Sequence, residues 1–574
     1  MSGQAAAGGA ARGPGAGVAG GGRAPPSPEP AVADGDPHGG GLGGAVRAVG
    51  GVTLLSRLGG LARDVLVGRI FGDTAINSAF QAAFAIPNMF RRLFGEGALS
   101  AAFIPEYTRA VEGARAAGGG SDRAGEGGPD PGALASLTVL MLGVVTGAVT
   151  VVVEAVLLVL LLALPHEAER ALSLRLIMVM LPFMPLICVT AILGGMLQVH
   201  GKFAASASGP LVLNGFIIAV GVVALVRGPM GETTAYALGV ATVLSGATQA
   251  AWFARLLRGR VRWTRAVRAA REPARRMMRR FVPVVIGLGT LQVNAFIDTL
   301  IAMWPIWVGP TLLGFAYPLD ERSNGILSLT TRLYQFPLGV FGIAVATAAF
   351  PMLARHALDG ALFGRTLRRG VRLSVFIGLP ASAGLAMVRE DLVGVLFARG
   401  AGATGFSAEG VARSAAVLMG FAPGVWAYSL NHVLTRAFYA RGDTLTPMKV
   451  AVGMVGLNLS LNVALIWWLR EAGLAWSTTA TAVVQCAVLA ALCRRRLGAA
   501  ALDGEAARAL ARGVGLTLAM MGVVAAARSM AGQGAGWSGA AGRLGISCAA
   551  GVAAYAAGAA LLRAPELGWL LKRR

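Results

Sequence analysis

The chain has 574 residues, of which 55% are hydrophobic and only 14% charged, with a net charge of +23. A soluble domain does not combine so much apolar residue with so little charge, and in water this composition would expose large apolar patches. The excess of base does not indicate a nucleic-acid binder, because it falls in alternate short connections between apolar stretches and not along one face.

Residues 1–44 are rich in Gly, Ala and Pro and carry no periodic apolar face, so they read as a disordered cytoplasmic tail. They lack the apolar core of a signal peptide. About fourteen apolar segments follow, near 45–71, 74–103, 134–164, 171–197, 208–226, 233–257, 281–305, 323–350, 371–397, 411–436, 446–468, 472–493, 509–529 and 541–563. Many reach the ~20 residues that cross a bilayer. The predicted fold is therefore an all-α polytopic membrane protein.

A faint internal echo lays FRRLFGEGALSAAFIPEYTR (90–109) on FPLGVFGIAVATAAFPMLAR (336–355), pairing Phe90 with Phe336, Pro105 with Pro351 and Arg109 with Arg355. Repeated halves around a central site are common in secondary transporters. The echo predicts two related six-helix halves, 45–257 and 281–493, around a central cavity. A basic connection (258–280) joins them, and a C-terminal helix pair (494–574) follows.

Orientation follows from the even-numbered connections. The sixth holds eleven arginines from Arg255 to Arg280; Arg355, Arg365, Arg368, Arg369 and Arg372 mark the eighth, and Arg494–Arg496 the twelfth. The positive-inside rule then places both termini in the cytoplasm. Three lysines stand against 48 arginines, a skew that reads as coding bias, so the number of arginines carries little functional information. Their position carries more.

The first segment contains Arg57, Arg63, Asp64 and Arg69 among apolar residues. A charge at a helix centre costs about 2.5–3.5 kcal/mol on insertion scales. Arg57 and Asp64 are seven apart and share a face of a straight helix. Gly59-Gly60 between them suggests a broken helix, a familiar way to build a transport site. In the second segment Pro87 can free backbone groups, and Asn88 shares a face with Arg91 and Arg92. Arg92 and Glu96, four apart, read as a gating or helix-pairing ion pair; simple capping of the span is the plainer alternative for Arg91 and Arg92. Arg332, in the eighth segment, has no adjacent acid and should face the bundle interior, either as a third wall of an anion site or packed with Asp298.

Asp298 is an isolated carboxylate in the seventh segment. Asp443 stands where the chain re-enters the membrane and suits a helix cap. Together they form a candidate coupling-cation site for Na+ or H+. Glu154 and Arg175 are expected to pair between neighbouring spans. The four cysteines form no CxxC pair, the histidines lack metal-ligand spacing, and no GxxxxGKS/T loop, GxSxG elbow or HExxH is present. ATP-driven transport on this chain and enzyme chemistry are not expected, and no cofactor is implied.

The segments SRLGGLARDVLVGRIFG and FAIPNMFRRLFGEGALSAAFIPEY resemble the opening of the bacterial lipid II flippase family (MurJ, also MviN), within the multidrug/oligosaccharidyl-lipid/polysaccharide exporter superfamily. GGMLQVHGKFAASASGPLVLN (194–214), TRLYQFPLGVFGIAVATAAFP (331–351), VLFARGAGATGFSAEG (395–410) and LTRAFYARGDTLTP (434–447) extend the resemblance over roughly 45–500. It implies a transporter of the bacterial inner membrane. Such a protein flips lipid II, an undecaprenyl diphosphate bearing a disaccharide-pentapeptide, to the outer leaflet by alternating access. It also implies a diphosphate site formed by Arg57, Arg63, Arg91 and Arg332, with Asp64 and Asn88 beside them. A monomer is expected to suffice, with cell-wall synthesis proteins as possible partners.

Ser78 and Thr331 stand where family members often carry acids, and the 305–322 stretch is atypical. The rival readings are a flippase for another polyprenyl-diphosphate glycan and a non-transporting membrane scaffold of the same fold. A multidrug–cation antiporter would call for an acidic cavity and is disfavoured.

Overall fold

With no water in the bilayer core to satisfy backbone groups, a chain this apolar must close its hydrogen bonds within helices. The computed structural model describes residues 42–93, 99–116, 130–164, 167–228, 231–399, 404–498, 503–532 and 536–571. The predicted tail thus lies outside the described residues, apart from its last three. The chain divides into two compact units, Met1–Arg47 and Ala48–Arg574, and the helical bundle is built from the second.

The first half comprises α1 (Leu42–Phe71), α2 (Ala75–Leu93), α3 (Leu99–Ala116), α4 (Pro131–Ala163), α5 (Ala168–Met180), α6 (Phe183–Val199), α7 (Phe203–Ala207), α8 (Gly209–Arg227) and α9 (Glu232–Leu256). The second begins with α10 (Arg271–Trp307) and a small hairpin of β1 (Thr311–Leu312) and β2 (Phe315–Ala316). It continues through α11 (Ser323–Pro337), a π-helical turn (Leu338–Gly342), α12 (Ile343–Arg355), α13 (Gly360–Phe397), α14 (Ala408–Phe421), α15 (Val425–Ala440), α16 (Leu445–Leu469) and α17 (Glu471–Leu497). Last come α18 (Gly504–Met530), α19 (Gly536–Leu561) and the short α20 (Pro565–Leu571). α10 starts at Arg271, so part of the basic connection is already helix.

Among the described residues, nine helical segments are long and apolar enough to cross a membrane: α4, α5 with α6, α8, α9, α13, α16, α17, α18 and α19. α1 and α2 fall outside that set because of the polar and charged side chains they carry, and α11, with 15 residues, is too short for it. Apolar packing is likewise divided. One core runs from Val67 to Met277, and separate cores gather residues between Ala302 and Cys493.

α1 is continuous through Gly59-Gly60, contrary to the broken helix expected there. Asn214 of α8 packs against this stretch: its Nδ2 donates to Ser56 O (3.1 Å), and a Cβ on Gly59 would lie in ordinary contact with that nitrogen, at 3.4 Å. No Glu154–Arg175 ion pair forms among the described residues, and Arg175 is exposed.

The C-terminal pair is fastened to α13 near both of its ends. Arg368 pairs with Asp503 (2.7 Å) and Arg372 with Glu566 (2.8 Å); toward the other end, buried Asp391 meets Arg528 (2.8 Å) and Arg543 (2.9 Å). Nothing in the spacing of these residues foretells those pairings.

Candidate functional site: an arginine-lined cavity

A cavity of about 550 Å³ opens between α1, α2, α6, α8, α9 and α11. Arg57, Arg63, Arg91, Arg92 and Arg332 line it, with Asn88 and Asn214, and no acid stands among its described lining residues. Sequence spacing accounts for part of this. A straight α1 keeps Arg57 and Arg63 on the inward side, and α2 presents Asn88, Arg91 and Arg92 on successive turns.

Three of the cations have named partners. Arg63 donates from Nε (3.0 Å) and Nη2 (2.7 Å) to Asp64 Oδ1, and from Nη1 to Asn214 Oδ1 (3.2 Å). Its guanidinium stacks over Phe84, 5.0 Å from the ring centroid. The other Asp64 oxygen lies 3.7 Å from Arg332 Nε, so one carboxylate joins α1 to α11. Asn88 Oδ1 accepts from Arg91 Nε (2.9 Å), which orients that guanidinium.

Arg57 reaches from α1 to the π-helical turn after α11, where a Cβ on Gly339 would collide with its Nη1. The Arg57 guanidinium occupies the space that the absent side chain leaves. π turns of this kind recur at functional sites. Asp64 pairs with two of the five cations, Arg63 and Arg332, and the described lining itself holds no acid, so the cavity is positive where the dielectric is low. Fixed guanidinium forks there suit a phosphate, which they can grip bidentately.

Sequence reasoning missed Asn214, Phe84 and Gly339. An amide inside the apolar run GPLVLNGFII was a usable signal for the first. The other two become visible only through contacts between distant segments.

A smaller cavity of about 320 Å³ lies alongside and shares Asn88, Arg92 and Arg332 with the first. Asp298 lines it, yet Asp298 does not pack with Arg332 as its partner. Its Oδ1 accepts from Asn462 Nδ2 (2.6 Å), which also donates to Asn458 Oδ1 (3.0 Å), and Ser477 Oγ donates to Asn462 Oδ1. The Asn294 side-chain oxygen, also at this cavity, is buried without a hydrogen-bond partner.

Asp443 is not part of this cluster. Its Oδ1 accepts from Thr446 N (2.9 Å) at the start of α16. Hydrogen bonds from the Thr446 hydroxyl and backbone hold its carboxyl below the usual carboxylate range. Asn462, which holds Asp298, lies sixteen residues further along the same helix, about 24 Å away. A joint Asp298–Asp443 cation site is therefore excluded by distance, and Asp443 is a helix cap. No group of three or more His, Cys, Asp or Glu that could hold a metal occurs among the described residues. A cation at Asp298 would rely on one carboxylate and neutral oxygens. Glu96, the expected partner of Arg92, lies outside the described residues.

At the end of the bundle away from the arginine-rich connection, the two halves are sewn together. Asp73, in the α1–α2 corner, accepts from Ser407 N (2.7 Å) and Ser407 Oγ (2.5 Å), and Ser407 caps α14. Ser78 Oγ accepts from Gly325 N (2.9 Å) in the first turn of α11, and Asn324 Nδ2 donates back to Ser78 O (2.8 Å). A hydroxyl at 78 thus serves as a cap supplied by the other half. Arg69 donates to the carbonyls of Val395 (2.9 Å) and Leu396 (3.0 Å) at the end of α13. Beside this seam, Arg413 binds Asp320 (2.7 Å) and Glu471 (2.6 Å). Burial alone would raise the Asp320 pKa, but hydrogen bonds and charge from Arg413, with Ser323 and Arg470, bring it down to about 2. Thr331, the other position of a missing acid, bonds back to Leu327 O (2.7 Å).

Comparison with known proteins agrees with this architecture. Residues 67–538 match the family model described as lipid II flippase MurJ. A probable lipid II flippase MurJ of Rhizobium tropici is 32% identical over 441 residues, covering 74% of this chain and 76% of that protein. One from Vibrio cholerae serotype O1 is 30% identical over 445 residues, covering 77% and 81%. A solved structure of lipid II flippase MurJ in an inward closed conformation superposes with a TM-score of 0.68 at 17% identity, covering 90% of this chain and 98% of that one. An inward-facing multidrug resistance MATE family transporter of the MOP superfamily gives 0.59 at 12% identity, covering 79% and 98%; these two likenesses concern the fold alone. The chain belongs to the lipid II flippase MurJ family, and its members are transporters, not enzymes.

Proposed function

We propose that this protein carries lipid II from the cytoplasmic to the outer leaflet of the bacterial inner membrane. One observation carries the reading: five arginines and no acid among the described residues line a cavity at the junction of the two halves. Arg57, Arg63, Arg91 and Arg332 hold the diphosphate, while Asn88 and Asp64 fix the guanidinium positions. The polyprenyl tail stays in lipid and leaves the cavity between α1 and α11, where Arg57 rests on Gly339.

Transport proceeds by alternating access. The seam through Asp73, Ser78 and Arg69 closes the outer side while the cavity loads from the cytoplasm. Binding neutralises repulsion among the arginines and favours closure around the head group; a ligand shifts such an equilibrium only through a differential interaction of this kind. Asp298, with Asn458, Asn462 and Ser477, offers oxygen ligands for a coupling Na+ or a seat for a proton. Both termini lie in the cytoplasm by the positive-inside pattern.

Complementation tests the reading. The host's lipid II flippase is depleted and this chain expressed, with insertion verified by fractionation. Rescue of growth is expected; an inserted protein that fails to rescue removes lipid II as the substrate. Rescue of a strain lacking a different polyprenyl-diphosphate glycan flippase, without rescue here, would assign that glycan instead.

A further inference from the structure

The 308–322 connection carries an apolar tip that stands exposed among the described residues. Leu313 is 91% exposed, Phe315 70%, and Val308 just before the hairpin 56%. The turn itself is unusual. Leu313 has φ 51° and Gly314 φ 85°, the positive pair that two-residue hairpin turns require and that Asn-Gly ordinarily supplies. A leucine in the left-handed region is disfavoured, and at this exposure no contact inside the protein offsets it.

The hairpin is also folded back against its own span. Tyr317 Oη donates to Ile301 O (3.0 Å) and Trp304 Nε1 donates to Thr311 O (3.2 Å). Tyr317 stacks on Trp304 with centroids 5.7 Å apart and meets Trp467 edge-on at 6.5 Å. Ile301 lies six residues, about 9 Å, before the end of α10. The tip residues are within two positions of Thr311 or Tyr317, which these side chains tie to the last turns of α10. Trp468, at the neighbouring end of α16, is 84% exposed. Trp and Tyr collected at the end of a span, with apolar side chains beside them, form the pattern of a membrane interface.

We infer that the β1–β2 hairpin inserts Leu313 and Phe315 into the lipid interface at the end of the bundle away from the arginine-rich connection. There it fixes the depth of α10 and of the α11 start, next to the Asp320–Arg413 cluster. The occupant is lipid, not a second protein, because the hairpin turns back along the membrane-spanning helix instead of projecting from it. The inference rests on the membrane fold alone and not on which lipid the cavity carries.

The test uses the full chain in proteoliposomes with exposed Cys548 replaced by alanine; the other three cysteines are buried. A single Cys at Leu313 carries an environment-sensitive fluorophore. A second variant carries it at Leu358, a fully exposed leucine in the connection between α12 and α13, as the aqueous reference. Spin-labelled lipid quenching at the glycerol depth is expected to be roughly twofold or more stronger at 313 than at 358, with iodide quenching weaker by a similar factor. Iodide access at 313 equal to that at 358 would overturn the inference. A 313 label shielded from both quenchers would overturn it as well, by pointing to a protein occupant.

Discussion

The outer seam and the central cavity are both rich in charge, but they are arranged in opposite ways. At the outer end each named acid closes on a donor: Asp73 on Ser407 across the two halves, and Asp320 and Glu471 on Arg413 within the second half. In the cavity five arginines stand with no acid among the described lining residues, and Asp64 beside it pairs with two of them, Arg63 and Arg332. Polar groups matched one to one hold the outer end in one arrangement. Surplus charge of one sign, in a place where it costs several kcal/mol to keep, points to an anion that comes and goes.

The contrast predicts what breaks each region. The largest effects belong to the cavity. Replacing Arg57, Arg91 or Arg332 by alanine removes a charge-assisted contact of about 1.5–3 kcal/mol, so lipid II should bind roughly ten- to a hundredfold more weakly to the purified protein. Thermal unfolding should change little, and wild-type affinity in all three variants would make the surplus charge structural. Next comes the seam. Asp73→Ala deletes the bonds to the α14 cap, worth about 1–2 kcal/mol. Spin-label distances across the outer ends of α2 and α14 should then shift toward an open population roughly five- to thirtyfold; unchanged distances would show that the apolar contacts alone hold the seam.

A smaller effect is expected from Gly339→Ala. The new methyl displaces only the far end of a flexible side chain, so the fold should survive within about 0.5 kcal/mol. Transport should nevertheless fall in the direction of Arg57→Ala. A double variant with Arg57→Ala should then show no additional loss, and additive losses would contradict the contact. The smallest effect concerns pH. Asp320 titrates at about 2 in the folded protein instead of the ordinary 3.8. A depressed carboxylate contributes stability above its unfolded pKa and loses it only as pH falls through the folded value. Seam distances should therefore be the same at pH 7 and pH 5, and loosening at pH 5 would show that another group governs closure.

Much of the cavity was legible in the sequence, because an arginine within an apolar span is conspicuous and helical spacing gives its face. Arg57, Arg63, Arg91 and Arg332, from three separate segments, do converge. What remained hidden was tertiary. Asn214 and Gly339 acquire meaning only when α8 and the π turn pack beside α1. The glycine pair suggests a break that does not occur, and the side chain packed against it, Asn214, comes from a helix some 150 residues away. Asp443 and Asp298 look alike as isolated acids near membrane segments, and only the length of α16 separates them. Ser78, which reads as a missing acid, caps a helix of the other half.

The central claim is that the arginine cavity moves a diphosphate-linked head group. Its most direct test is a flipping assay with purified protein in proteoliposomes containing fluorescent lipid II. Wild type should expose the head group to an external quencher in a time-dependent way, and Arg57→Ala/Arg332→Ala should fall to the rate of empty liposomes while remaining folded and inserted. A double variant that flips lipid II at the wild-type rate would contradict the account.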